Sequence, residues 1–299
     1  MTPSFSFEGI GTHWWIFLQG TDSTQNKKIK DDFLTILKQF DTDFSRFKEH
    51  SYVSKLNKDK EISDFPIELF DMLTYCENIS FITNGYFSAT AGSALNKLGY
   101  DDGYSFTQKE GTYKRGFITQ LTEEKIEITD NASIDLGGIG KGWLIDKYTR
   151  YLKESGIKHF LINGGGDIYA TNQPDGTPFT VQLENPFHSE ETIGQIELNN
   201  AAVACSSPSR RKWSDKISGQ EFHHLIDVKS GIPVDSVAAV FTYGSSSLAT
   251  DASSTALFVT PPDWHKGIAD FFKVEYMIIS KKGQVFKTKN YPGFLLSKN

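Results

Sequence analysis

Cysteine is nearly absent. Cys76 and Cys205 are the two in 299 residues, and they lie far apart in the chain. No disulfide framework and no cysteine-based zinc site can be read from them, so two buried thiols are expected. An excess of basic charge is also missing. Lys and Arg number 31 against 37 Asp and Glu, a net charge of −6, which argues against general nucleic-acid binding. The N-terminus has no basic segment followed by a long apolar run, so no signal peptide is visible. Its longest apolar run, Trp14 to Leu18, is far too short to span a membrane. The expectation is a cytoplasmic protein, or a chain trimmed from an exported or lipid-anchored form. No Walker A spacing and no Gly-x-Gly-x-x-Gly dinucleotide fingerprint occurs. The absence of a Gly-x-Ser-x-Gly elbow leaves a serine hydrolase little support, and the absence of a His-Glu-x-x-His helix excludes a zincin.

What is present reads as a folded protein with a sizeable core. Hydrophobic residues make up 38% and charged residues 23%, and 299 residues allow two ordinary domains or one large one. No repeat, low-complexity tract or linker divides the chain, so a single domain over 1–299 is expected. Trp14–Gln19 reads as a strand after the Gly9–Thr12 turn. Phe33, Leu34, Leu37, Phe40 and Phe44 recur at helical spacing, and a polar loop is expected after Ser45-Arg46-Phe47. Pro66 opens a second helix with a stripe of Ile67, Phe70, Leu73 and Cys76. Short strands and hairpins are expected from Asp101 to Asn131. Leu144, Ile145, Tyr148, Tyr151 and Leu152 form one helical face that stops near Gly156. Strands are expected at His159–Ile162, Thr180–Glu184, Ile193–Leu198, His224–Val228 and Val237–Tyr243. Leu248, Ala252, Ala256 and Val259 mark a further helix, and a hairpin around Lys282-Gly283 ends the chain. The mixed order of strands and helices predicts an α+β fold with mixed α/β layers.

Three stretches carry chemistry. Ile134-Asp135-Leu136-Gly137-Gly138-Ile139-Gly140-Lys141-Gly142 sets four glycines and a lysine at a helix start. Glycines let backbone N–H groups approach an anion, and the helix start and Lys141 add positive charge, which suits a phosphate-bearing ligand. A glycine turn that only joins a strand to a helix has the same pattern. Asp251 and Thr255 stand four apart on one helical face and offer two hard oxygens, a set that suits Mg²⁺. The alternative is a polar face on which Thr255 bonds back to a carbonyl. His223 and His224 head an expected strand and face opposite ways, so one of them can serve as a base, as a ligand contact or as a satisfied core residue. His224 and Asp227 fall on opposite faces of a regular strand and make no simple couple. Ser45-Arg46-Phe47, with Arg46 solvated at a helix end, and Asn163-Gly164-Gly165-Gly166-Asp167, a tight turn, are weak alone.

The order of these pieces resembles the FAD:protein FMN transferase family, also called the ApbE family. The resemblance runs from Gly11-Thr12-His13-Trp14 through Phe44-Ser45-Arg46-Phe47, Ser54 and Asn57 to Gly85-Tyr86-Phe87-Ser88-Ala89-Thr90. It continues with Asp135–Gly142 and Asp146, Asn163–Asp167, Glu184-Asn185-Pro186, His224-Leu225-Ile226-Asp227 with Gly231-Ile232-Pro233, and Asp251 with Thr255-Ala256-Leu257. It implies an ApbE-like, T-fold-like architecture with two intertwined subdomains. It also implies Mg²⁺-dependent transfer of FMN from FAD to a Ser or Thr hydroxyl of an acceptor protein, with release of AMP. Relatives that hydrolyse FAD to FMN and AMP make pyrophosphatase activity the alternative, and a non-catalytic FAD-binding protein is the third reading. By the same resemblance, the Gly138 carbonyl, Asp251 and Thr255 hold Mg²⁺. Ile10, Phe47, Tyr86, Phe87, Ser88, Asp135, Lys141 and His224 surround FAD, and His224 handles the proton. The chain departs from the family pattern at Ser88, usually Asp, and at Ile10, usually Met. Val228 replaces a Pro, and Cys205-Ser206-Ser207-Pro208 replaces Thr-Ser-Gly.

Overall fold

The computed structural model describes residues 2–209 and 211–296. Among them, eight antiparallel-paired strands form the main sheet. In chain order they are Phe5–Gly9 (β1), Thr12–Gln19 (β2), His159–Gly164 (β3), Asp167–Ala170 (β4), Ala201–Ser206 (β5), Val237–Gly244 (β6), Glu275–Ser280 (β7) and Val285–Lys287 (β8), and they neighbour one another in that same order. The helices are Ser23–Phe44 (α1), Tyr52–Asp59 (α2), Ile67–Ile82 (α3), Gly92–Lys97 (α4), Gly140–Glu154 (α5), Ser247–Val259 (α6) and His265–Phe272 (α7). Phe179–Glu184, Thr192–Leu198 and Phe294–Leu295 make a separate three-stranded sheet. The fold class is α+β.

The core forms where the periodic apolar faces meet. Phe33, Leu37, Phe40 and Phe44 of α1 are buried, as are Leu144, Ile145, Tyr148 and Leu152 of α5. The two helices meet through Phe33 and Tyr148, whose rings stack with centroids 3.9 Å apart. Helix α6 packs against both α5 and strands β5 and β6. Its composition explains how it fits. Ala252, Ser253, Ser254 and Ala256 are small enough to approach the sheet closely, and the hydroxyls of Thr250, Ser253 and Ser254 bond back to carbonyls of their own helix.

Two contacts set the register of α5 on α6, and that register positions the site. A side chain at Gly142 would place its Cβ 2.4 Å from the Ser247 carbonyl oxygen, so only glycine permits this approach. The Asp146 carboxylate accepts bonds from Ser246 Oγ (2.7 Å), Ser247 N (2.9 Å) and Leu248 N (3.1 Å), capping α6 with a negative charge at its N-terminus.

Several expectations need correction. The segment after Phe47 is not all loop, because Ser51 accepts from Ser54 N and starts α2. Helix α1 begins ten residues before Phe33, at a capping box formed by Asp22 and Gln25. On α3 the buried stripe is Leu69, Met72, Leu73, Cys76 and Ile79, whereas Ile67 is exposed. Between Asp101 and Asn131 only Ile118–Leu121 and Ile126–Ile128 are strands. The earlier part of that segment folds back on α4 instead: Phe106 N bonds Gly99 O, and Lys109 N bonds Lys97 O, both at 2.8 Å. His224–Val228 is not one strand either. The chain bends at His224, between Glu221–His223 and Ile226–Asp227, which pair in two different hairpins. Of the two thiols, Cys76 is buried and Cys205 only half-buried.

Candidate active site

A cavity of about 920 Å³ opens beside the start of α5, at the upper end of the roughly 300–1,000 Å³ usual for small-molecule sites. The Gly137–Gly140 turn forms one wall, with Lys141 and Thr255 beside it. Gly138 needs its missing side chain, since a Cβ would lie 2.9 Å from the Phe87 ring and 3.7 Å from Thr255 Cγ2. The Phe87 ring is what closes the space on that side, and Thr255 stands next to it.

Behind that wall sits a buried charge cluster. Lys141 Nζ lies 3.0 Å from Asp251 Oδ1 and 2.8 Å from Asp167 Oδ2. Asp251 Oδ2 accepts the Gly142 amide at 2.8 Å, and Asp167 Oδ1 accepts the Cys205 amide at 3.2 Å. Both Asp residues are 2% exposed, so two acidic side chains share one ammonium away from water. Asp167 Oδ2 is close enough to Lys141 for an ion pair but receives no directed hydrogen bond. Burial works against the charge on Lys141, yet Asp167 and Asp251 outweigh it and hold its pKa above the ordinary value. Burial also pushes the Asp167 carboxyl up, against the pull of Lys141.

Thr255 does not bond back to a carbonyl in its helix. Its hydroxyl pairs with Ser206 Oγ at 3.2 Å, and Ser206 Oγ also pairs with Ser254 Oγ at 2.7 Å. Asp251 and Thr255 thus keep the one-face spacing expected of them. Thr255 reaches the cavity, whereas Asp251 lies just behind Lys141.

Aromatic rings line another part of the cavity. Phe47 and Tyr104 stack with centroids 5.0 Å apart and planes at 7°, and both line the cavity. Arg46 is buried rather than solvated. Its guanidinium lies over the Phe47 ring at 4.3 Å and donates to Asp135 Oδ2 (2.5 Å), Asn96 Oδ1 (2.9 Å) and the Tyr100 carbonyl (2.7 Å). Asp135 also accepts the Gly137 amide at 2.7 Å and so shapes the glycine turn. Ile10 occupies the rim in a left-handed conformation, φ 44°, in the two-residue turn between β1 and β2. A β-branched residue there is strained by roughly 1–3 kcal/mol.

His224 lines the cavity, and its Nδ1 is 3.2 Å from the Arg211 carbonyl oxygen. A carbonyl only accepts, so Nδ1 carries the proton and Nε2 keeps a free lone pair. Burial, then the Arg211 charge, pulls the His224 pKa down to about 3, and burial pulls His223 to about 4. The Asp227 carboxylate is engaged by Lys229 N and Ser230 Oγ, not by His224. Of the expected cofactor contacts, Ile10, Phe47, Phe87, Ser88, Asp135, Lys141 and His224 line this one cavity. Tyr86 does not: its ring lies under the Lys229 ammonium at 4.4 Å. Tyr104 gave no sequence signal that would pair it with the site, Arg46 and Asp167 gave only the weak runs that contain them, and Asp146 was marked by the resemblance but assigned no role.

The depressed histidines predict a pH dependence. Unfolding returns each imidazole to an ordinary pKa near 6.5. The unfolded chain therefore takes up protons that the native state refuses. The stability from burying neutral rings is present above about pH 6.5 and is lost as pH falls through that value towards 4. Asp167, with its carboxyl pushed up, acts with the opposite sign. The histidine share is thus the difference between wild type and a His223→Asn/His224→Asn protein. Urea midpoints are expected to fall more steeply for wild type between about pH 7 and 5; parallel curves would contradict the burial of neutral rings.

The model of the ApbE family matches residues 10–278, from the turn at the cavity rim to strand β7. The chain belongs to the ApbE family. The FAD:protein FMN transferase of Escherichia coli (strain K12) is 23% identical over 303 residues, covering 95% of this chain and 86% of that protein. The FAD:protein FMN transferase of Haemophilus influenzae is 25% identical over 320 residues, covering 97% and 90%. Among solved structures, an ApbE protein from Thermotoga maritima aligns with a TM-score of 0.81 at 23% identity, over 96% of this chain and 97% of that one. The Pseudomonas stutzeri flavinyl transferase ApbE, in its apo form, aligns with a TM-score of 0.78 at 21% identity, over 95% and 94%. The ApbE architecture therefore extends over nearly the whole chain. No described helix is long and apolar enough to cross a membrane.

Proposed function

We propose that this chain transfers FMN from FAD to a Ser or Thr hydroxyl of an acceptor protein, releasing AMP, and that it uses Mg²⁺. The observation that carries most weight is one juxtaposition. The glycine turn, Thr255 and Lys141 line one cavity together with the stacked rings of Phe47 and Tyr104, and Asp251 lies just behind Lys141. That arrangement suits a ligand with a planar ring at one end and a pyrophosphate at the other.

The donor chemistry fits Mg²⁺. The Gly138 carbonyl, Asp251 and Thr255 offer hard oxygens, and the cluster behind them holds two carboxylates against one ammonium. No group of three or more His, Cys, Asp or Glu forms a metal cage among the described residues. A few protein oxygens completed by waters and phosphate oxygens is the usual set for this ion. When bound, Mg²⁺ supplies charge stabilisation at the pyrophosphate and aligns its oxygens.

The chain's own residues do the rest. Asp135, held by Arg46, fixes the glycine turn that lines the cavity beside the pyrophosphate. Lys141 adds positive charge beside the pyrophosphate. The acceptor oxygen forms a new bond to the FMN phosphorus, the P–O bond to the AMP phosphate breaks, and AMP leaves with the bond electrons. His224 is neutral near pH 7 and presents Nε2 as the acceptor for the hydroxyl proton; the negative charge of the bound pyrophosphate would raise the basicity that burial and the Arg211 charge lower.

The test is incubation of pure protein with FAD and Mg²⁺, with and without an acceptor protein that carries an exposed Ser or Thr. AMP release and an FMN mass shift on the acceptor support the transferase. AMP without acceptor supports the pyrophosphatase reading, and no AMP in either supports binding alone.

Ser88 gives a further prediction. Ser88 is 6% exposed, and its hydroxyl accepts Thr90 N at 3.2 Å and pairs with Thr90 Oγ1 at 3.0 Å. An aspartate could keep that cap and turn a second oxygen to the cavity. A charged acceptor exceeds a neutral one by about 1 kcal/mol, so Ser88→Asp is expected to tighten FAD binding or raise AMP release by about fivefold. A folded Ser88→Asp protein with neither quantity changed would show that the position does not tune the site.

A further inference from the structure

We propose that Asp167 is a positioning residue that holds Lys141 aside, so that a divalent cation can take Asp251 without competing with the lysine for it. The inference rests on the proposed metal reading of Asp251 and Thr255. It goes beyond that reading by giving a role to a buried carboxylate outside the proposed ligand set.

The geometry leaves the cation one oxygen to share. Asp251 Oδ2 is committed to the Gly142 amide at 2.8 Å. That amide cannot retreat, because α5 and α6 touch at Gly142, where even a Cβ has no room. Oδ1 remains, and Lys141 Nζ sits 3.0 Å from it. A lysine with no other partner would place its whole charge on the oxygen the cation needs. Asp167 supplies the other partner, 2.8 Å from the same Nζ.

Asp167 is built to be a fixed anchor. It is the first residue of β4, directly after the Gly165-Gly166 turn, and its Oδ1 is tied to the Cys205 amide of neighbouring β5. Lys141 is the mobile member, with a flexible stem and three donors that rotate freely. Asp167 Oδ2 has no directed hydrogen bond to any other group, so the Lys141 ammonium faces no rival for it. With a cation on Asp251 Oδ1, Lys141 would give up that oxygen, keep Asp167, which it already meets at 2.8 Å, and so keep its charge in the site. Two carboxylates then balance one ammonium and part of the cation's charge.

The variant Asp167→Asn keeps shape and the acceptor for Cys205 N while removing the charge. Manganese binding, read by electron paramagnetic resonance on protein without FAD, is expected to weaken by roughly tenfold or more, the usual cost of losing a group that orients a metal site. The same change made in a Lys141→Met background is expected to cost clearly less, because no lysine is left to compete. In AMP release, Asp167→Asn should raise the half-saturating Mg²⁺ concentration, while kcat recovers at excess metal. Equal losses in both backgrounds, unchanged manganese affinity, or a kcat that stays low at saturating Mg²⁺ would each overturn the anchoring role. Wild type that binds no manganese at all would overturn the metal reading itself, and this inference with it. A melting temperature for Asp167→Asn near that of wild type separates these outcomes from simple misfolding.

Discussion

Asp251→Ala is expected to leave a folded protein whose Mg²⁺-dependent release of AMP from FAD has fallen by at least about 10²–10³-fold, the scale for removing one preorganised transition-state contact. Asp251 is the carboxylate in the proposed donor set, and Thr255 and a carbonyl oxygen carry no charge. Removing it takes away the group that holds a hard, reluctantly dehydrated cation. The substitution also strips the Gly142 amide of its acceptor and leaves Lys141 with Asp167 alone. An orphaned buried amide costs about 1–3 kcal/mol, so some loss of stability comes with the change. Asp251→Asn separates the two effects. Its amide oxygen can still accept from Gly142 N, yet it offers the cation no charge. Both variants should lose metal-dependent turnover, and Asp251→Asn should keep more of the wild-type stability. Unchanged Mg²⁺ dependence in either folded variant would remove Asp251 from the metal site.

Periodicity made the major helices legible. Phe33 to Phe44, Leu144 to Leu152 and Leu248 to Val259 each repeat every three or four residues, and each becomes a buried face of α1, α5 or α6. The spacing of Asp251 and Thr255 was readable for the same reason, since four residues along a helix fix a shared face. The glycine turn was readable because glycines mark close approach, and Gly138 and Gly142 both turn out to have neighbours where a Cβ would stand. Local rules failed where distant segments decide. Asp101–Lys109 carries strand-like residues, but Phe106 and Lys109 bond back to Gly99 and to Lys97 at the end of α4, and Tyr104 and Phe106 take left-handed conformations there, φ 47° and 48°. His224 lies at a bend because the hairpins on either side pair differently. Asp167 gave no sign of its partner, because Lys141 is 26 residues away and Asp251 further still. Such a cluster exists only once β4, α5 and α6 are packed together. Family resemblance, rather than pattern, named the site residues in advance, and the cavity gathers all of its proposed FAD contacts except Tyr86.

Arg46 is the residue that the sequence pattern placed least well, and it carries the second large prediction. Read alone, it is a solvated cation at the end of a helix. In the fold it is 9% exposed and bonds three groups, on the glycine turn, on α4 and just after α4. Its Nε holds Asp135 at the head of the glycine turn, Nη1 holds Asn96 of α4, and Nη2 holds the carbonyl of Tyr100. Arg46→Met keeps much of the side-chain volume but leaves the Asp135 carboxylate without its ion-pair partner. Breaking one side of a buried pair costs about 3–5 kcal/mol, a large part of the 5–15 kcal/mol that holds an ordinary domain together. Urea denaturation should therefore show a much lower midpoint for Arg46→Met. Arg46→Lys should recover little, since one ammonium cannot reach three acceptors in three directions as the planar guanidinium does. FAD affinity, measured by titration at a urea-free temperature where the variant is still folded, should fall as well, because Asp135 then no longer fixes the turn through its bond to Gly137 N. A midpoint for Arg46→Met equal to that of wild type would mean that the Arg46–Asp135 pair adds nothing to the fold. A lowered midpoint with unchanged FAD affinity would confine Arg46 to stability and leave the turn to hold its own shape.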